Sequence, residues 1–421
     1  MSDLRNLIVG LDLSKEYTQI CCYNYKTLEA ESLSMAKDKY LIPTALGVKN
    51  YSKDWVFGEE AVTCHEKNTG VFVDRLLERV EEAMETEIFG TSFSPVTLLE
   101  KFLRKCLQVI KTYYPGNSIL RIVVTLKELQ EDLIKGVYQA LKNLGIDKDR
   151  ALVQSYAQSY QYYALSQSKE LWTGDIGLFD FDAEGLIYQQ ITVNRSENPY
   201  VVSLIEKSFK DTLSFDMLEK YAMGENLEYI FQNIAMNVLH KQVVSTLYAT
   251  GIGFESSWAD NVLKDLCIGR RVFKGQNLYA KGACYAAREL TDEKALGDFV
   301  FLGKEMITGS LTTEGYLKAG QAEIVLVRAF QPWYEVDTKV DFILEELNEI
   351  PIYITNSLTK ERKKYIIDLN GLTKRPDRTT RIELRVKFYS QSTAVITVKD
   401  KGFGSFYPSS NRIWEETIEI K

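Results

Sequence analysis

Histidine is almost missing from this chain: His65 and His240 are the two it has in 421 residues. A Ser/His/Asp or Cys/His catalytic arrangement would have to draw its base from that pair, so nucleophilic catalysis of that kind is not expected. The six cysteines, at 21, 22, 64, 106, 267 and 284, form no C-x-x-C. That excludes a disulfide framework or zinc site and predicts a reduced, cytoplasmic protein. Cys64 beside His65 has no second pair to complete a metal site, and adjacent side chains in extended chain point apart. No apolar run approaches the roughly 20 residues of a membrane span. Asp3, Arg5 and Asp12 fall where a secretory leader needs apolar residues, so export is not expected. Positive charge is also short: the net charge of −7 argues against a dedicated nucleic-acid binder. The basic runs Arg362-Lys363-Lys364 and Lys374-Arg375 are interleaved with acids and read as solvated turns.

What is present is ordinary globular composition, 45% hydrophobic and 26% charged, at a length that suggests two or three domains. Two stretches stand out. Leu7-Ile8-Val9-Gly10-Leu11-Asp12-Leu13, the polar corner Ser14-Lys15-Glu16 and a second β-rich run to Tyr25 predict a hairpin. An acid between two leucines in a buried strand needs a partner; a metal-bound water, a phosphate, or a cap on its own turn would each serve. Gly177 to Leu186 followed by Ile187 to Val193 is a second hairpin with an acid, Asp180, in the same place, and with Asp182, Ala183 and Glu184 at its turn.

Between them, Ser94-Pro95 opens a helix whose stripe runs through Leu98, Leu99, Phe102, Leu103, Cys106, Val109 and Ile110. Leu120 to Thr125 reads as a buried strand, with Thr125-x-x-Glu128 as the capping box of a helix that ends at Gly145. A strand at Ala151-Leu152-Val153 follows, then a helix on which Tyr156, Tyr160 and Tyr163 recur at helical spacing as a packing stripe. Residues 28–62 suggest irregular strands, and residues 194–241 mostly helix. After residue 303 the pattern turns to β with short turns; Ile382, Leu384, Val386 and Phe388 alternate on one strand and Ala394, Ile396 and Val398 on the next.

In this order the motifs resemble DnaK-type heat-shock chaperones across nearly the whole chain. The resemblance rests on Gly10-Leu11-Asp12-Leu13 (first phosphate loop) and on Ile42-Pro43 followed by Phe57-Gly58-Glu59-Glu60-Ala61. Further along it rests on Asp180 (second phosphate loop), Thr250-Gly251-Ile252-Gly253 (adenosine motif) and Tyr279 to Ala287. It ends with the linker-like Gly297-Asp298-Phe299-Val300-Phe301-Leu302-Gly303 and the closing Lys399-Asp400-Lys401-Gly402-Phe403-Gly404. The resemblance implies an α/β actin-like ATPase (ribonuclease H-like) two-lobed domain over 1–296. Its lobes would be about 1–165 and 166–296, with a shortened clamp subdomain. A linker at 297–303 and an all-β sandwich at 304–421, without a helical lid, would follow.

Implied nucleotide or magnesium contacts are Asp12, Ser14, Lys15, Asp180, Asp182, Thr250, Gly251 and Gly253. The departures cluster at the chemistry. Ser14, Lys15 and Glu16 stand where glycine and threonine wrap phosphate; Asp74 stands near the catalytic lysine's place and Ser155 at the connecting acid. Asp182-Ala183-Glu184 replaces the glycine cradle through which backbone amides approach phosphate. The expectation is therefore a chaperone-like binding or scaffold protein that does not hydrolyse ATP and uses the sandwich to hold peptide or protein. The alternative is an active chaperone binding ATP or ADP with magnesium, Lys15 replacing the missing charge. A sugar or acetate kinase, or a cytoskeletal filament, is disfavoured by the C-terminal β region.

Overall fold

A computed structural model describes the chain except residues 1–5, 36–38, 197–198, 222–225, 298, 318–319, 346–347, 358 and 421. The chain divides into two compact units, Met1–Phe299 and Val300–Lys421.

The first unit is built on two sheets that repeat one plan. In the first, the strands run in the order Ala151–Ser155, Ile119–Leu126, Leu7–Leu13, Tyr17–Asn24, Glu29–Ser32. The first three are parallel, and the last two follow as an antiparallel meander. In the second, the order Arg271–Lys274, Val244–Thr250, Asp175–Asp182, Gly185–Asn194, Tyr200–Ser208 repeats the same directions. The repeat extends to single residues: Asp12 pairs in register with Thr125, and Asp180 with Thr250. The continuous apolar runs around both aspartates follow from strands covered on both faces by helices.

Each sheet's last parallel strand feeds a helix, Tyr156–Ser166 in the first half and Leu278–Glu289 in the second. Each helix crosses to the other half. Ala280, Ala283, Cys284 and Ala287 pack into one core with Ile8, Cys21 and Val123 of the first sheet, and the Tyr160 hydroxyl donates to the Ile176 carbonyl of the second at 2.9 Å. Small residues make this approach possible. A Cβ on Gly10 would lie 2.3 Å from the Ala280 carbonyl, and one on Gly282 would lie 2.0 Å from the Ser159 carbonyl. Gly10, read from the sequence as part of a phosphate loop, is thus required by helix packing. The second half has its own aromatic core, with Phe179, Phe181, Phe231, Phe254 and Trp258 in mutual contact.

Several local expectations are corrected. Thr125 does not cap a helix. It completes the strand Ile119–Leu126, and the helix begins later, at Glu131, behind Gln130 and with no side-chain cap. Parallel pairing of Thr125 with Asp12 and Gln154 outcompetes the local cap. Gly145, with φ of +82°, does follow the end of that helix. Within 194–241 a nine-residue strand, Tyr200–Ser208, extends the second sheet before the helix Leu227–Leu239. Cys64 and His65 lie on the helix Glu59–Glu66, not on extended chain, and the His65 ring stacks on Phe72. All six cysteines are unpaired, and all but Cys267 are buried.

The second unit consists of two four-stranded antiparallel sheets around one aliphatic core. Ile352, Ile354 and Ile367 from one sheet meet Ile382, Leu384, Val386 and Phe388 from the other. The alternation of the strand Thr380–Ser390 is what places those last four residues inward. Of the residues read as a linker, Phe299–Leu302 form a strand, and Asp298 lies outside the described residues. None of the described helices is long and apolar enough to cross a membrane.

Candidate functional site

The two hairpins of the first unit bring their acids to one cleft. Asp12, Glu16, Lys127, Asp180, Asp182, Thr250 and Gly251 line it, together with Gln19, Tyr156 and Tyr279. Asp12 is 6% exposed and Asp180 3%, so neither has bulk water as its main partner. Asp12 does not cap its own turn. Its Oδ1 accepts the Tyr156 hydroxyl at 2.7 Å, and Asp180 Oδ2 accepts the Tyr279 hydroxyl at 2.5 Å. The two tyrosines open the helices that end the two halves, so the repeat of the fold is also a repeat of the site. Their rings stack on each other with centroids 3.8 Å apart and planes 17° apart.

One hydroxyl does not offset burial. Desolvation raises the Asp12 carboxyl to about 7, against the lowering effect of Tyr156. Asp180 is raised likewise, by burial and then by the nearby charge of Asp182. The phenols of Tyr156 and Tyr279 are pushed well above their usual value, by burial first and then by the carboxylates beside them. Each aspartate thus accepts from a neutral phenol that has no tendency to ionise.

The acids of the second turn are neutralised within the protein. Lys127, immediately after the strand Ile119–Leu126, reaches Asp182 at 2.6 Å and Glu184 at 2.8 Å, and Lys210 also pairs with Glu184. Burial would raise Glu184, yet the two ammonium groups hold it at about 2. Lys127 thereby ties the first sheet to the turn of the second hairpin.

The other expected contacts serve the fold. Ser14 closes its own turn, its hydroxyl donating to the Tyr17 carbonyl at 2.7 Å and accepting the Tyr17 amide at 3.1 Å. Lys15 is half exposed and 4.0 Å from Glu78, so its nearest counter-charge is Glu78. Thr250 is 2% exposed, in register with Asp180. Gly251 has φ of +97°, and a Cβ there would lie 2.3 Å from the Phe181 carbonyl; one on Gly253 would strike the Phe181 ring at 2.5 Å. Phe181 bars a side chain at both glycines, and at Gly251 the positive φ and the Asp180 carboxylate, 2.8 Å from where a Cβ would lie, do so as well. Ser155 caps its own helix in a capping box with Gln158. Asp74 is engaged by Arg79, at 3.7 Å through its side chain and 2.8 Å through its carbonyl.

The sequence reading missed Lys127, Gln19 and the role of the two tyrosines. Tyr160 and Tyr163 do pack as a stripe expects, but Tyr156 points into the site. Tyr279, in the first turn of the corresponding helix of the other half, was the available signal. The residues do not fit a magnesium–triphosphate group. Each aspartate is held at one oxygen by a phenol, the only cation lining the cleft among the described residues is bound to two carboxylates, and no cluster of three metal-type ligands occurs among them.

Residues 28–304 match the model of the DUF5716 C-terminal family, a family of unknown function, and the chain belongs to it. Residues 306–420 match a second model, DUF8552, a domain of unknown function. A search of curated proteins finds no match.

Proposed function

We propose that this chain is a chaperone-like binding or scaffold protein, degenerate relative to the DnaK type, that keeps an actin-like two-lobed framework and hydrolyses no ATP. The framework reading is supported by the repeated five-strand plan with an aspartate at the same register in each half. The loss of nucleotide chemistry rests on one observation above the others: Tyr156 and Tyr279, stacked together, occupy the two aspartates. Catalysis of phosphoryl transfer is mainly positioning and electrostatic stabilisation of anionic charge. Here the carboxylates outnumber the cation in the cleft, and that cation is committed to Asp182 and Glu184. The second unit, read as a β-sandwich, is the working surface for an extended peptide or protein partner, in the cytoplasm and without nucleic acid or membrane.

Calorimetry of the full chain with Mg-ATP and with ADP tests the first half of this reading. The expected result is no heat of binding at high micromolar nucleotide. Micromolar ATP binding abolished by Asp12→Ala would overturn it in favour of an active ATP-dependent chaperone. The second half expects saturable binding of extended apolar peptides to the full chain, unchanged by ATP; no saturable binding to any such peptide would remove it.

A further inference from the structure

The cleft has the wrong charge for a phosphate and a set of acceptors that lack donors. Among the described residues its lining carries Asp12, Glu16, Asp180 and Asp182 against the single ammonium of Lys127. Asp12 and Asp180 each give one oxygen to a tyrosine, and the second oxygen of each accepts from no protein donor among the described residues. An acidic cluster alone would say little, since such clusters are often solvated. A second observation stands apart from it. Gln19, 5% exposed, lies directly opposite Asp12 on the neighbouring strand, so the two side chains share one face of the sheet. Its Nε2 donates to the Gln276 carbonyl at 2.8 Å, while its Oε1 is buried with no hydrogen-bond partner. A buried amide oxygen without a donor is costly, and the residue that carries it, Gln19, lines the same cleft as the two aspartates.

We infer that this cleft binds an organic cation rich in N–H donors, an alkylammonium or a guanidinium group, whose donors reach Gln19 Oε1 and the unengaged oxygens of Asp12 and Asp180. A guanidinium offers five donors in a planar fork, matched to carboxylates, and an alkylammonium offers three. A nucleotide would present acceptors to acceptors. The inference rests on the proposed loss of nucleotide chemistry and adds a ligand class to it. The cation has two possible sources, a free small molecule or the arginine side chain of a protein, and both carry the same recognition chemistry.

The test is a titration of the full chain by calorimetry with agmatine, with a blocked pentapeptide containing one arginine, and with ADP, each at matched ionic strength. Saturable binding of agmatine or of the peptide is expected, weakened about tenfold or more by Asp12→Asn and by Gln19→Met, which remove a charged and a neutral acceptor at similar volume. The arm that binds more tightly identifies the source. A thermal shift of the wild-type chain by agmatine beyond that of equal sodium chloride gives a reading that needs no variant. No saturable binding of either cation to the wild-type chain overturns the inference, as does binding indifferent to both substitutions. ADP separates the two conclusions: if neither cation nor ADP binds, only this inference falls, whereas ADP binding without cation binding removes the proposed function as well.

Discussion

Three buried aspartates in this chain face the same physical problem and meet it differently. Asp400, in the second unit, is fully buried and accepts five hydrogen bonds. Two come from Arg375 at 2.9 and 2.7 Å, two from the amide and hydroxyl of Ser410, and one from the Gly402 amide. The Arg375 guanidinium, followed by these donors, holds its carboxyl far below the usual range. Asp12 and Asp180 are almost as buried, yet each has one phenol as its donor among the described residues and both are raised. A carboxylate with a full set of donors is part of the fold's fabric, here stapling the turn at 400–410. A carboxylate left short of donors in a cleft has acceptor capacity for something else.

The largest expected effect breaks the satisfied member of this comparison. Arg375→Ala leaves Asp400 buried without its cation and should cost about 3–5 kcal/mol, read as loss of the second unit's transition in urea unfolding of the full chain. A loss below about 1 kcal/mol would mean that the backbone and serine donors suffice, and the contrast with Asp12 would lose its basis.

Next comes the packing that brings the two half-sites together. Gly282→Val places carbon where the Ser159 carbonyl already lies, so the helices Tyr156–Ser166 and Leu278–Glu289 must separate. Overpacking of this kind should cost about 1–3 kcal/mol, and the Tyr156–Tyr279 stack should open with it, visible as a change in near-ultraviolet circular dichroism. An unchanged tyrosine spectrum would show that the stack does not depend on this contact.

A smaller effect belongs to a single phenol. Tyr279→Phe keeps the ring and deletes the donor to Asp180, leaving that carboxylate with no protein donor among the described residues. The expected loss at pH 8 is about 1–2 kcal/mol, shrinking at pH 5, where Asp180 is protonated and no longer needs a donor of that kind. Equal losses at both pH values would assign the cost to packing.

The unevenness of what the sequence disclosed follows from range. The hairpins around Asp12 and Asp180 were legible because an acid inside an apolar run is a local anomaly, and the inward alternation of Ile382 to Phe388 is local too. The partners were not. Tyr156 is 144 residues from Asp12 and Tyr279 is 99 from Asp180, and each tyrosine sits in a stretch whose spacing suits ordinary packing. Lys127 lay unremarked inside the span read as a capping box, and its partners Asp182 and Glu184 are more than fifty residues away. Gly10, in the phosphate-loop motif, and Gly251 and Gly253, implied as nucleotide contacts, each have a packing reason as well, because a Cβ would strike Ala280 or Phe181.

The finest distinction between the two kinds of aspartate is the direction in which pH moves stability. Asp400 and Glu184 are held low, so their contributions are complete above the unfolded value near 4 and are lost only as pH falls below it. Asp12 and Asp180 are raised toward 7, so between about pH 4 and 7 the folded chain binds protons that the unfolded chain has released. Stability contributed by those protons is full below the unfolded value and declines as pH rises through the folded one. Unfolding free energies from urea titrations at pH 5, 6, 7 and 8 should therefore fall, by about 1 kcal/mol per pH unit for each aspartate still protonated, and level off by pH 8. Asp12→Asn should flatten roughly half of that slope, because an amide carries no titrating proton. A wild-type profile that rises over this range would mean that the two aspartates are ionised in the folded chain and already hold a cation, which would bring them close to Asp400 after all.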